Sequence, residues 1–255
     1  MSKSNFVTIL SCVFVVLVAT CSPVSAITWT ENFESYAAGA GMPANGWNQA
    51  TGNELINGAL TVVDMGDGNM AVGAGTGESG GSRATGANPT DTDLIAELTI
   101  IKGTGHMVWG LGSECCDSAN NRYRSGQDSV MMMYTPTWGI ETYAENGGGY
   151  QAQAGLLSGT TENGDELRFR LAAAGTTGVQ SFTLSYDVNN SGGWTDIRTF
   201  DSGPNFSADY FYVGQGNGSQ VHDNLFFQSL PEPTSATLFG IGLVMMLLNR
   251  RRRSR

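Results

Sequence analysis

Carboxylates, thiols and imidazoles carry most acid–base and metal chemistry, and here they are sparse and poorly grouped. Asp93 and Glu97 share one face of the strand-like DLIAELTI by period two, with Ile95 between them, and read as solvated charges on an edge. Asp165-Glu166 sits in a turn. Asp187-x-Asn189-x-Ser191-Gly192 copies the start of a calcium loop, but Arg198 stands where the closing Glu belongs, so the segment reads as a hairpin turn. His106 and His222 are the only histidines, and no Gly-x-Ser-x-Gly occurs, which leaves a serine hydrolase without support. Neither histidine completes a local zinc pattern with the adjacent Cys115 and Cys116. That cysteine pair can close a vicinal disulfide, take a soft metal or simply occupy a turn. In an oxidising compartment the disulfide within GSECCDSANN is the structural expectation. The glycine-dense stretch from Gly66 to Gly86 has neither the lysine nor the helix of a phosphate loop, and reads as a loop edging a short strand.

Aromatic rings are the other chemistry-bearing group. Trp and Tyr can stack a pyranose ring while their polar tips meet water. Trp109, Trp138, Tyr134, Tyr143 and Tyr150 fall on or beside the central strands of the body, and the first four are candidates for a sugar-binding face. A sandwich also needs large side chains between its sheets, and that demand competes for the same residues. Trp47 and Trp194 read as core or loop-edge packing.

The elements that must position these residues are short strands. DLIAELTIIKG, HMVWGLGSE, SVMMMYTPTWGIETYAE, DELRFRLAAAG, QSFTLSYDV, WTDIRTF, DYFYVGQG and HDNLFFQSL are rich in β-branched and aromatic residues, with turn residues between them. Leu167, Phe169 and Leu171 alternate with Arg168 and Arg170, which predicts one buried and one wet face. YDVNNSGGWTDI reads as a hairpin. No amphipathic helix is apparent between residues 27 and 230. The expected fold is all-β, an antiparallel β-sandwich of the jelly-roll kind, with two sheets packed face to face.

The two ends differ from this body. Residues 1–26 place Lys3 before an apolar stretch from Phe6 to Ala19 and close on Val24-Ser25-Ala26, the order of a secretory signal peptide cleaved after Ala26. Its apolar stretch is short for a membrane span, and Thr20 fits poorly before a lipidated Cys21. At the other end, Thr234 to Leu248 runs 15 residues without a charge. As a helix this covers about 22 Å, a marginal span of a bilayer core. Residues 234–249 are therefore read as a single transmembrane helix. Arg250, Arg251, Arg252 and Arg253 follow directly and mark the cytoplasmic side. Without Lys3, Glu232 and the five C-terminal arginines, the 13 basic and 23 acidic residues become seven and 22. The domain at 27–230 thus carries about −15, which disfavours nucleic acid and suits a soluble exported protein.

The tail 231–255 resembles the PEP-CTERM sorting signal: Pro231-Glu232-Pro233, then the apolar run, then the basic cluster at 250–255. The resemblance implies a temporary anchor in the inner membrane of a Gram-negative-type bacterium, recognised and removed by an exosortase-type enzyme. Cell surface or extracellular matrix would be the destination.

The body resembles the concanavalin A-like (laminin G-like) group of jelly rolls. Glu31-Asn32-Phe33-Glu34-Ser35-Tyr36 looks like the first strand and its exit. Tyr186-Asp187-Val188, Trp194-Thr195-Asp196-Ile197 and His222-Asp223-Asn224-Leu225-Phe226-Phe227 look like the late strands. The resemblance implies a structural calcium ion shared between first and last strands, with Glu34 and Asp223 as ligands. The bland alternative is that both acids blunt exposed strand edges. Glycosidases of this group carry Glu-x-Asp-x-x-Glu or a close variant on one strand, and that motif is absent, so no enzyme is expected. Two functional expectations remain: a module that binds extracellular polysaccharide, or a structural matrix or surface-coat protein without a small ligand. A polysaccharide-cleaving enzyme, needing carboxylates from separate strands, is a distant third.

Overall fold

The computed structural model describes residues 26–42, 47–49, 60–73, 79–89, 91–113, 129–136, 139–144, 151–154, 164–216 and 218–231. Several expectations fall outside them: nearly all of the signal peptide, the tail beyond Pro231 with Glu232, Pro233 and Arg250–Arg253, and Cys115, Cys116, Trp138 and Tyr150.

Fifteen strands make up the described chain, with no α-helix among the described residues. One sheet holds β3 (Thr61–Gly66), β4 (Asn69–Gly73), β15 (Val221–Pro231), β6 (Asp91–Ile101), β11 (Glu166–Ala173), β12 (Ser181–Val188) and β13 (Thr195–Asp201) in that spatial order. β1 (Ile27–Glu31) joins it as an eighth strand, paired with β15. The second sheet has seven strands: β10 (Gln151–Ala154), β9 (Gly139–Ala144), β8 (Ser129–Thr135), β7 (Met107–Gly112), β14 (Tyr210–Gln215), β5 (Ser79–Ala84) and β2 (Asn48–Gln49). The pairings described residue by residue are antiparallel. The chain is an antiparallel β-sandwich of two sheets.

Period two builds the core. Leu94, Ala96, Leu98 and Ile100 on β6 sit beside Leu167, Phe169 and Leu171 on β11, all essentially without solvent contact. Facing them from the second sheet are Met107, Trp109 and Leu111, Met132 and Tyr134, and Phe211 and Val213. Each large side chain buried this way contributes about 1.5–3 kcal/mol.

The outer face of the larger sheet is polar, and it corrects one expectation. Glu97 is no solvated edge charge, because β6 lies inside the sheet between β11 and β15. Its carboxylate accepts from Arg170 at 2.6–2.7 Å and Arg168 at 3.3 Å, and Trp194 lies over both guanidinium groups, 3.9 Å from Arg170. The adjoining β12–β13 turn is left-handed at Asn189, Asn190 and Gly192. Asp187 accepts from the Ser191 and Gly192 N–H groups, so its carboxylate serves the hairpin. Burial opposes the ionised Asp187, but the Ser191 hydroxyl, these N–H groups and Arg168 outweigh it and hold the carboxyl below its ordinary pKa.

Candidate functional site

The β1–β15 pairing sets Glu31 opposite Leu225, so the residues leaving β1 and those entering β15 share one end of the sandwich. Two departures from extended backbone shape this corner. Phe33, just past β1, has φ +60°, and Asn224 within β15 has φ +45°. Such values are uncommon for non-glycine residues and costly for a bulky aromatic.

The Asn224 kink breaks the alternation of β15. His222, opposite the core residue Val72, and Leu225 are both buried, although they are three residues apart. Asp223, between His222 and the kink, is only 5 % exposed. Its Oδ1 accepts from the Asn224 N–H at 2.7 Å. Burial pushes the Asp223 carboxyl up to about 6, and the negative charges of Glu166 and Glu34 push in the same direction. No described cationic side chain pairs with it.

Glu34, by contrast, is exposed. The fold therefore brings the two acids, 189 positions apart in the sequence, near enough for their charges to interact. A buried carboxyl with acidic neighbours and no cationic partner has the donor chemistry of a hard-cation site. Among the described residues no three His, Cys, Asp or Glu side chains group closely enough to hold a metal by themselves. The remaining ligands of a cation there would be backbone carbonyls or water, which calcium accepts and zinc does not favour.

The aromatic candidates divide between two environments. Trp109 and Tyr134 lie on the inner face of the seven-stranded sheet with no solvent exposure. Trp109 stacks on Phe211 at 5.8 Å and donates its indole N–H to the Met132 sulfur at 3.4 Å, while the Tyr134 ring meets Phe169 at 5.9 Å. As inter-sheet packing, neither offers a ring to a sugar at the surface. Tyr143 lies on the other face of that sheet, clustered with Val108 and Met131 and flanked by Met133 and Tyr212. It is itself buried, and its hydroxyl donates to Glu141 Oε2 at 2.7 Å.

Sequence reasoning missed three residues of this outer face: Glu141, Tyr210 and Tyr212. The two tyrosines are alternate residues of β14, half-buried, with ring centroids 6.5 Å apart. Period two in DYFYVGQG was a usable signal, since Phe211 and Val213 had to take the opposite, core face. Gly110 adjoins Tyr212 in register, and a Cβ there would lie 2.1 Å from the Val130 carbonyl oxygen and 2.7 Å from the Met131 sulfur, so the glycine lets the β8 backbone and its methionine approach.

Fold and corner together define an antiparallel β-sandwich with an acidic junction between its first and last strands. No protein-family model matches the chain, and no curated protein matches it. Among solved structures it is similar to a galectin-like-fold protein of unknown function from Bacillus subtilis, at 9% identity over 80% of this chain and 96% of that one, TM-score 0.44. It is also similar to lectin I-B4 from Griffonia simplicifolia in metal-free form, at 11% identity over 80% and 99% of the two chains, TM-score 0.43. Lectin II from Ulex europaeus is a third, at 11% identity over 79% and 97%, TM-score 0.42. These likenesses concern strand arrangement alone.

Proposed function

We propose that the chain is an exported carbohydrate-binding module, steadied by calcium at the Glu34–Asp223 corner and delivered to the cell surface through its C-terminal sorting tail. The observation that carries the binding role is the outer face of the seven-stranded sheet. Tyr210 and Tyr212 present two adjacent, half-buried rings, and the Tyr143–Glu141 hydrogen bond on the same face is buried beneath the surface. Rings with polar tips suit the alternating apolar and hydroxyl faces of sugars.

Binding is favoured over cleavage by the carboxylate count. Glycoside hydrolysis requires a positioned pair, and among the described residues on this face Glu141 is the single carboxylate. The domain's charge of about −15 opposes polyanionic glycans, so an acidic exopolysaccharide would need calcium as a bridge. The resemblance of the tail to the PEP-CTERM signal supports a transient inner-membrane anchor and an exosortase-type partner.

Retention of the domain on immobilised neutral and acidic polysaccharides, with calcium and with chelator, tests the reading. One retained glycan class is expected, and Tyr212→Ala should weaken it about tenfold at a temperature where the variant is still folded. Equal retention of wild type and the Tyr210→Ala and Tyr212→Ala variants would remove the binding site from this face. No retention of any glycan would leave the matrix-protein reading in its place.

A further inference from the structure

The chain enters β1 and leaves β15 at one end of the sandwich. Ile27 lies opposite Ser229, and Pro231, the first residue of the sorting-like motif, is also the last residue of β15. Three loops build the surface at this end: residues 85–89 between β5 and β6, 174–180 between β11 and β12, and 202–208 between β13 and β14. Hydrogen bonds knit them together. The Thr176 and Thr177 hydroxyls donate to the Asn88 and Pro89 carbonyls at 2.7 and 3.1 Å. The Gly178 N–H donates to the Phe206 carbonyl and the Ala208 N–H to that of Thr176, both at 2.8 Å. Phe206 anchors the third loop in the core, edge-on to Phe182 at 5.2 Å. The first loop adjoins both chain ends. A Cβ on Gly86 would lie 3.6 Å from Ile27 Cδ1, and the Asp91 carboxylate accepts from both the Asn88 N–H and the Ser229 hydroxyl.

No residue of these three loops is charged, in a domain that carries about −15, although Asp201 and Asp209 flank the third. Val179 stands in the second loop, 56 % exposed. The opposite end of the sandwich, where β6 ends and β11 and β15 begin, is acidic: Asp165, Glu166 and Asp223 outnumber Lys102 there.

We propose that the neutral end is a membrane-facing surface, seated on lipid headgroups while the C-terminal tail is in place. The inference rests on the reading of residues 234–249 as a transmembrane helix and adds what that anchor does to the body. Only Glu232 and Pro233 separate Pro231 from Thr234, so the strand end lies within about 10 Å of the apolar run. The headgroup layer on one side of a bilayer is itself about 5–8 Å deep. A tether that short gives the neutral loops no room to stand off from the lipid. Charge agrees with this orientation. The field of anionic lipids, which attracts a basic residue by about 1 kcal/mol, repels an acid near the surface by a similar amount. At about 3.3 Å per residue, β15 is roughly 30–35 Å long, so the acids of the far end stand several Debye lengths from the headgroups. The loops that meet the lipid carry no charge to be repelled, and the outer faces of both sheets are turned sideways rather than toward the bilayer.

The test places the full-length chain in nanodiscs of phosphatidylethanolamine and phosphatidylglycerol. The photo-crosslinker benzoylphenylalanine is introduced at Val179 or Asn205 of the neutral end, or at Gly193 in the β12–β13 turn of the far end. All three positions are exposed, and a Cβ at Gly193 would meet only Ser191 Oγ, at 3.8 Å. After illumination, intact mass is expected to show lipid adducts at 179 and 205 and none at 193. A chain that co-purifies with the discs but gives no adduct at 179 or 205 would overturn the membrane-facing surface and leave the anchor standing. Equal adducts at 193 would mean that the body has no fixed orientation, and would overturn it too. Adducts to a protein in native membranes, with none to lipid in discs, would assign the end to a protein partner and overturn the lipid contact. A chain that stays out of the discs would overturn the transmembrane reading and this inference together.

Discussion

Asp223→Asn separates a strained acid from an ordinary surface one. Burial pushes the native carboxyl up to about 6 from the ordinary 3.8, so folded protein holds a proton that unfolded chain has released between those two pH values. The stability this proton lends is complete below pH 3.8 and is lost as pH rises through 6, leaving an ionised carboxylate that opposes folding at pH 7. Two pKa units correspond to about 3 kcal/mol, and screening by water at the rim of the corner lowers this to about 1–2 kcal/mol. Asparagine keeps the shape and the acceptor for the Asn224 N–H but carries no charge. In chelator at pH 7 the variant should therefore be more stable than wild type by about 1–2 kcal/mol, and the advantage should vanish near pH 3.8. Saturating calcium should reverse the order, because only wild type gains binding free energy from the ion. Urea unfolding followed by tryptophan fluorescence, at both pH values and with calcium or chelator, reads all of this. A variant equal to or less stable than wild type in chelator at pH 7 would refute the strained-carboxyl argument.

Three further outcomes are expected. His222 is fully buried, and burial lowers its pKa from 6.5 to about 4 against a smaller opposing contribution from the Gly214 backbone. The unfolded chain therefore takes up a proton first as pH falls below 6.5, and His222 should cost about 2 kcal/mol at pH 5 relative to pH 7. Comparing urea midpoints of wild type and His222→Leu at those pH values checks this, with the acid loss smaller in the variant. Arg170→Ala removes the closest partner of Glu97 and the cation under Trp194. It should lower stability by about 1 kcal/mol in urea, and an unchanged midpoint would make that cluster decorative. Replacing Arg250–Arg253 with neutral residues should leave the precursor unshortened in cells, read by intact mass, whereas normal shortening would dismiss the sorting-signal reading.

Strand identity was legible wherever one face is wet. Leu167, Phe169 and Leu171 alternate with two arginines because β11 meets the core on one side and water on the other, and the hairpin at Asn189-Asn190 announced itself by residues that tolerate positive φ. The same logic failed on β7 and β9, which are buried along their whole length on both faces. MVWGLG has no polar side to mark the outside, and in IETYA polar residues fall on both sides, Glu141 outward and Thr142 inward, so neither reveals which residues point inward. Trp109 on β7 thus looked as available to a ligand as Tyr143 on β9, and the burial of Glu141 left no trace in the pattern.

The corner shows the same division. Sequence by itself supplied Glu34 and Asp223 through their resemblance to strand ends of known sandwiches, together with the signal-like N-terminus, the sorting-like tail and the acidity of the domain. Tertiary structure alone decided that β1 lies against β15, that Asn224 shifts the phase of the last strand, and that Arg83 from the opposite sheet meets Glu31. Local sequence encodes propensity and alternation within a few residues. A carboxylate's charge environment depends on which strands pair across the whole chain, and that is settled only when both sheets close over their common core.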